Sequence, residues 1–301
     1  MHMGDDPNFP PNLAIRPSES DKRRALKARL HFDQKSGIET YGIAGRVWQV
    51  EAAYALATYT TAPGHQSAAS ASTLEFDPPC SLFCRSDAVA IELGSGTGYS
   101  ASAAVVLTDL ANVVPLLDKG LGEHQDSVVG VEVRAQALAW GDADHTDALA
   151  KWLSNTGRSI THILCSDLVY FPHLYPPLLR TLLALTSPPF RYASSSPEVI
   201  FGYKVRSLVK ESPFWQVFGT WFVFKAVLAR HEGDNREAED SWTRFGQSDD
   251  VFIFIATRRP ESLEWAIPVL DTHLMSGYGP TPPALDDTFE SLLMLGIAED
   301  I

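Results

Sequence analysis

The stretch that most constrains this chain is Val89-Ala-Ile-Glu-Leu-Gly-Ser-Gly-Thr-Gly98. An apolar run of strand type ends in an acid, Glu92, and then in three glycines at alternate positions, Gly94, Gly96 and Gly98. Glycine permits tight turns and lets backbone N–H groups come close to a bound ligand. In an α/β sheet, such a loop at the carboxyl end of a first strand is where a nucleotide-like cofactor sits. A dinucleotide-binding loop reads G-x-G-x-x-G. Here the spacing is G-x-G-x-G, which points away from a nicotinamide cofactor.

The pattern that follows alternates strand and helix. Strand one is expected over 88–93 and strand two over 104–108. A helix containing Val113, Leu116 and Leu117 comes next, then strand three over 128–133 and a helix over 147–153 that stops near Gly157. Residues 160–165 form a near-continuous apolar run, as expected of a strand buried on both faces. A helix over 173–185 carries Pro176 and Pro177 in or just before its first turn, where proline is tolerated. Strand five is expected over 199–205. Alternation of this kind implies a parallel sheet with right-handed crossovers.

After strand five the pattern changes. Ser212-Pro213 has the form of a helix start, with serine as N-cap and proline at the first helical position. The aromatics Phe214, Trp215, Phe218, Trp221, Phe222 and Phe224 pass from helical spacing to alternation, so a strand is expected from Phe222. These rings are read as core. Residues 231–250 are polar and read as a long surface loop, and 251–256 as a last apolar strand closed by Thr257-Arg-Arg-Pro260. Two strands joined by a loop form an antiparallel pair, which a dehydrogenase does not show at this place.

Before the sheet, residues 63–87 are rich in Ser, Ala, Pro and Gly and read as a loop. Residues 1–35 are read as a flexible tail with a short basic helix over 21–30, residues 36–260 as one domain, and 261–301 as an extension packing on it. The net charge of −13 disfavours non-specific nucleic-acid binding, which needs a basic face. Residues 214–229 are the richest apolar stretch, but Gln216, Gly219, Thr220 and Lys225 interrupt it, so no membrane span is expected. Cys80, Cys84 and Cys165 form no paired metal-ligand motif and are read as free thiols. No secretory signal is read at the N-terminus. The expected place is the cytoplasm, with the nucleus as an alternative.

Four segments together resemble the seven-stranded methyltransferases, dependent on S-adenosylmethionine (SAM), that modify lysines of non-histone proteins such as elongation factors and chaperones. They are Gly45-Arg-Val-Trp48, the glycine loop from Glu92 to Gly98, Leu138-Ala-Trp-Gly-Asp142, and Ser166-Asp-Leu-Val-Tyr170. Tyr203-Lys-Val-Arg206 and the aromatic helix after it are similar to fungal members. The resemblance runs from about Tyr41 to Arg259. It implies an α/β fold: a seven-stranded Rossmann-like methyltransferase sheet of five parallel strands and a C-terminal antiparallel pair.

It also implies SAM as cofactor, a protein substrate and no metal. Gly94, Ser95, Gly96 and Gly98 would approach the methionine end of SAM, with Glu92 balancing its ammonium. Asp109 stands at the end of strand two, where a carboxylate can accept two ribose hydroxyls. Trp140 either stacks on adenine or packs in the core, and the resemblance favours it over Asp142 for adenine. Trp48 would pack near the cofactor, and Ser166 would border the adenosyl group. Asp167 is expected to orient the target amine, and Tyr170 to line the lysine channel, joined by Phe171. Arg206 and Lys210 are read as surface or ion-paired.

One departure stands out. Only 109 − 98 = 11 steps separate Gly98 from Asp109. A crossover with its helix usually takes at least about 10–12 residues before the next strand begins. Little more than a turn of helix is therefore expected after the glycine loop.

Overall fold

A computed structural model of the chain describes residues 13–16, 34–46, 50–61, 74–84, 87–96, 106–123, 133–191, 196–231, 242–278 and 284–298. Its strands are β1 (Leu74–Asp77), β2 (Ala90–Leu93), β3 (Val106–Asp109), β4 (Arg134–Ala137), β5 (His162–Ser166), β6 (Glu198–Lys204), β7 (Phe222–Ala226), β8 (Leu228–His231), β9 (Thr243–Arg244) and β10 (Val251–Arg258). Its helices are α1 (Gln34–Tyr41), α2 (Val50–Tyr59), α3 (Val114–Glu123), α4 (Ala143–Thr156), α5 (Tyr175–Leu185), α6 (Leu208–Trp221), α7 (Asp271–Leu274) and α8 (Thr288–Ala298).

Seven strands form one sheet in the order β4-β3-β2-β5-β6-β10-β7. The first five in that order pair parallel. β10 then lies antiparallel between β6 and β7. This is the α/β sheet expected from the sequence, with its antiparallel C-terminal strands. The chain leaves β2 toward β3 on one side, and later enters β5 on the other. The carboxyl ends of β2 and β5 therefore flank a topological switch point, where open α/β sheets bind ligands.

The central strands are apolar on both faces because both faces are covered. On one face Ala90, Leu164, Ile200, Ile253 and Ile255 pack with Ala52, Ala55, Leu56 and Tyr59 of α2 and Leu117 of α3. On the other, Ile91, Leu93, Ile163, Phe201 and Tyr203 pack with Leu149 of α4, Leu178 and Leu182 of α5, and Phe214, Trp215 and Phe218 of α6. The aromatic run is core, as expected. Helix α2 reaches the sheet closely because β6 carries a glycine at the crossing. A Cβ on Gly202 would come within 2.8 Å of the Ala52 carbonyl oxygen.

Residues beyond Pro260 return to this core. Phe289 of α8 is fully buried and stacks on Trp215, with ring centroids 5.4 Å apart. Gln216 donates to Glu290 at 2.7 Å, and Arg259 pairs with Asp286 at 2.9 Å.

Several local expectations need correction. The stretch read as a loop before the sheet contains β1, and the loop read over 231–250 contains β9. With β8 these make a separate antiparallel sheet in the order β1-β8-β9. They are short, and β9 is only a residue pair, so alternation had nothing to show. Of the strand expected over 128–133, residues 128–132 lie outside the described residues; the strand paired with β3 is β4, at Arg134–Ala137. It is an edge strand, half-buried throughout, and needs no apolar run. Helix α4 starts at Ala143, capped by Asp142, whose carboxylate accepts the His145 backbone N–H at 2.8 Å. It ends at Gly157 with φ 65°, as expected. Helix α6 starts at Leu208 rather than at Ser212, so Pro213 is internal. The proline removes a bond to the carbonyl of Val209, a residue 90 % exposed, where water can replace it. The basic helix expected over 21–30, Trp48, Gly98 and the short crossover over 99–105 lie outside the described residues.

Candidate functional site

A cavity of about 570 Å³ opens at the switch point. Every expected site residue within the described part of the chain lines it: Glu92, Gly94, Ser95, Gly96, Asp109, Trp140, Ser166, Asp167 and Tyr170. Four strand ends deliver them, because parallel pairing sets the carboxyl ends of β2, β3, β4 and β5 side by side.

The glycine loop is tied to β3. Ser95 donates its backbone N–H to the Thr108 carbonyl at 2.9 Å, and Gly96 donates to the Asp109 carboxylate at 2.8 Å. The Thr108 N–H donates to the Ser95 hydroxyl at 3.1 Å, and the Thr108 hydroxyl donates to the Glu92 carbonyl at 2.7 Å. The turn itself needs glycine. Gly94 and Gly96 have φ of 57° and 52°, the left-handed region. A Cβ on Gly94 would also meet the Trp140 ring and the Leu168 side chain, each at 3.0 Å.

Asp109 is 8 % exposed and also accepts the Leu110 N–H at 2.7 Å. Burial pushes its pKa up to about 6, against the pull of these two N–H donors. Glu92, 1 % exposed, forms part of the cavity floor. Trp140 is carried by the turn after β4, which is held from outside by the Thr181 hydroxyl accepting the Gly141 N–H at 2.8 Å. Asp142 is engaged as the α4 cap, while Leu138, Ala139 and Trp140 of that turn line the cavity.

Asp167 follows β5 with φ 58°, a strained setting for a residue with a side chain. Its N–H donates to the Gly202 carbonyl at 2.6 Å, so the neighbouring strand β6 holds it in place. Its carboxylate pairs with the Arg206 guanidinium. Burial pushes the Asp167 pKa up to about 7; the charge and hydrogen bond of Arg206 and the Lys204 N–H oppose this, and the charge of Glu211 adds to it. Tyr170 sits beside Phe171, their rings edge to face at 4.8 Å, and both line the cavity. Burial, then the charges of Asp109 and Asp167, push the Tyr170 phenol well above its usual value, so it stays protonated as a donor.

Other wall residues were not foreseen. Ile43 and Ala44, in the 3-10 turn Gly42–Gly45, and Arg46 line the cavity just ahead of Trp48. Leu13 reaches it from the stretch 13–16. Arg206, read as a surface or paired residue, is both paired and part of the wall. Its position after β6, the neighbour of β5, was the available signal.

The sheet order, the glycine turn and the acidic strand ends around one cavity define a seven-stranded methyltransferase fold. A family model described as lysine methyltransferase matches residues 27–219. The chain belongs to that family. It is also similar to the protein-lysine N-methyltransferase EFM6 of Saccharomyces cerevisiae, 28% identical over 129 residues, which cover 38% of this chain and 49% of that protein. The chain thus spans about half the length of this curated relative.

Membership of the family implies SAM as the cofactor, and the cavity fits such a group. Asp109 presents two carboxylate oxygens, each with acceptor capacity beyond its one N–H donor. The space over Gly94 is bounded by the Trp140 ring. Among the described residues no three His, Cys, Asp or Glu side chains are grouped to hold a metal ion. Among them, too, no helix is long and apolar enough to cross a membrane.

Proposed function

We propose that this chain is a SAM-dependent methyltransferase acting on a lysine side chain of a cytosolic protein. The observation that carries the reading is the convergence of the glycine turn, Asp109 and Asp167 on one cavity. The resemblance to enzymes that modify elongation factors and chaperones makes proteins of those classes the first substrates to try.

When bound, SAM supplies a methyl group activated by attachment to a sulfonium. Asp109 accepts the ribose hydroxyls, Glu92 faces the amino-acid end, and Trp140 walls the adenine. Ser166 borders the adenosyl group. On the acceptor side, the amine must reach the site as a free base, since an ammonium has no lone pair. Asp167 accepts an N–H of that amine and so aims its lone pair, which is a positioning effect. Tyr170 and Phe171 line the channel for the aliphatic stem. No strong base is required if the proton leaves to water on approach.

Transfer of label from radioactive SAM to proteins of a cell extract tests this. The wild type is expected to label a small set of proteins and Asp167→Ala to label none. A folded wild type that labels nothing across a range of extracts refutes the reading.

A second reading is a non-catalytic interaction module built on the same fold. The observation behind it is that β3 begins at Val106, only 106 − 93 = 13 positions after β2 ends at Leu93. Calorimetry with S-adenosylhomocysteine separates the two, since micromolar binding argues for the enzyme. A third, a small-molecule methyltransferase, would show labelling of a metabolite and of no protein.

A further inference from the structure

We infer that Arg206 is a positioning residue that acts through Asp167, making the carboxylate that meets the acceptor amine one half of a formally neutral ion pair. The inference rests on the reading of this cavity as an amine-methylating site.

Arg206 is fixed in place. One guanidinium nitrogen pairs with the Asp167 carboxylate, and another donates to the Lys204 carbonyl at 3.2 Å. Its backbone N–H donates to the Glu211 carboxylate at 3.2 Å. Glu211 is 2 % exposed and in turn accepts the Tyr203 hydroxyl at 2.5 Å. The arginine is therefore held from behind by the first turn of α6 and by β6. Arg206 and Asp167 both reach the cavity wall, with side chains 26% and 4% exposed.

The chemical consequence concerns protonation. A lone buried carboxylate stabilises a nearby cation, so it would raise the pKa of an incoming lysine and hold it as ammonium. Arg206 cancels that charge. The carboxylate retains acceptor capacity for an N–H, while the adjacent guanidinium disfavours a second cation. Methyl transfer needs this state. The nitrogen lone pair forms the new N–C bond, the C–S bond of the sulfonium donor breaks with its electrons left on sulfur, and the proton shed beforehand goes to water. The other groups facing Asp167 are the Lys204 N–H from β6, Glu211 from α6, and Tyr170, with Asp109 and Glu92 also in the cavity. Arg46 also lines the cavity as a second cation, but the charged side chains acting on the Asp167 carboxylate are Arg206 and Glu211, so Arg206 is the cation that balances it.

The test uses the full chain, with Arg206→Met and Arg206→Lys beside the wild type. Labelling rates on heat-treated extract protein with radioactive SAM are followed from pH 6.5 to 9.5. For Arg206→Met the acid limb is expected to move up by about one pH unit, which lowers the rate about tenfold near pH 7 and closes the gap near pH 9. Arg206→Lys keeps the charge and is expected to follow the wild-type profile. Equal losses at every pH in both variants would assign Arg206 a structural role and overturn the proposal.

A second measurement does not depend on turnover. In protein with ¹³C-labelled aspartate, the Asp167 carboxyl, identified with Asp167→Asn, is expected to titrate near 7 in the wild type and higher in Arg206→Met. Labelling with an unmoved Asp167 midpoint overturns the role of Arg206 alone. No labelling by the wild type at any pH removes the amine reading and the proposal with it. If Arg206→Met fails to fold, Arg206→Gln carries the same comparison.

Discussion

Gly96 donates its backbone N–H to the Asp109 carboxylate at 2.8 Å, so the loop that ends β2 is fastened to the residue that ends β3. The same carboxylate faces the cavity in which a ribose would lie. Its pKa of about 6 places its titration just below neutral pH.

Cofactor binding is therefore expected to depend on acid. Above about pH 6 Asp109 is ionised and accepts hydroxyl donors at full strength; below it the carboxyl gains a proton and loses acceptor capacity. Affinity for S-adenosylhomocysteine should fall as pH drops from 7.5 to 5.5. Asp109→Asn should lower affinity about tenfold at pH 7.5 and flatten the profile, in keeping with a charged hydrogen bond worth about 1.5–3 kcal/mol. Calorimetry at several pH values reads both effects.

Gly94→Ala should cost both stability and binding. The residue has φ 57°, and an added Cβ would lie 3.0 Å from the Trp140 ring and from Leu168. Gly157→Ala is the natural comparison, because Gly157 has φ 65° with nothing within 4 Å of an added Cβ. The backbone penalty alone is about 1–2 kcal/mol. Urea unfolding should show Gly94→Ala to be the more destabilised of the two. Equal costs would mean that Trp140 does not press on the loop.

The Tyr203 hydroxyl donates to the Glu211 carboxylate with both residues buried. Burial and the charge of Glu211 together push the Tyr203 phenol far above its usual value, so it remains a donor at all working pH. Tyr203→Phe removes that donor and leaves a buried carboxylate with less support. A loss of about 1–3 kcal/mol is expected in chemical denaturation.

Phe289→Ala tests whether the segment beyond Pro260 belongs to the fold. Its ring is fully buried among Trp215, Tyr203 and Phe254. Emptying that volume should cost about 3–5 kcal/mol. An unchanged denaturation midpoint would show that α8 does not dock in solution.

The sheet was legible because its strands carry their own signal. Residues of β2, β5, β6 and β10 are apolar on both faces, since helices cover both, and such runs stand out without knowledge of their partners. The edge strand β4 and the short strands β1, β8 and β9 carry no such signal and depend on pairing for their definition. Pro213 misled for a related reason. A proline that starts a helix and one that sits inside it look alike in sequence, and the exposure of Val209 separates them.

The site divides in the same way. By itself the sequence determined a strand, a glycine turn, and acids at strand ends, because turn geometry and alternation are properties of neighbouring residues. Only the tertiary structure decided which of these ends face one another. The register that sets Ser166 beside Gly202 brings Arg206 to Asp167 across 39 positions of chain. That pairing depends on parallel strands, a buried carboxylate and a helix start that holds the arginine from behind. Local sequence encodes none of these, so an arginine read as surface or ion-paired found its partner, the acid expected to meet the substrate, only in the folded chain.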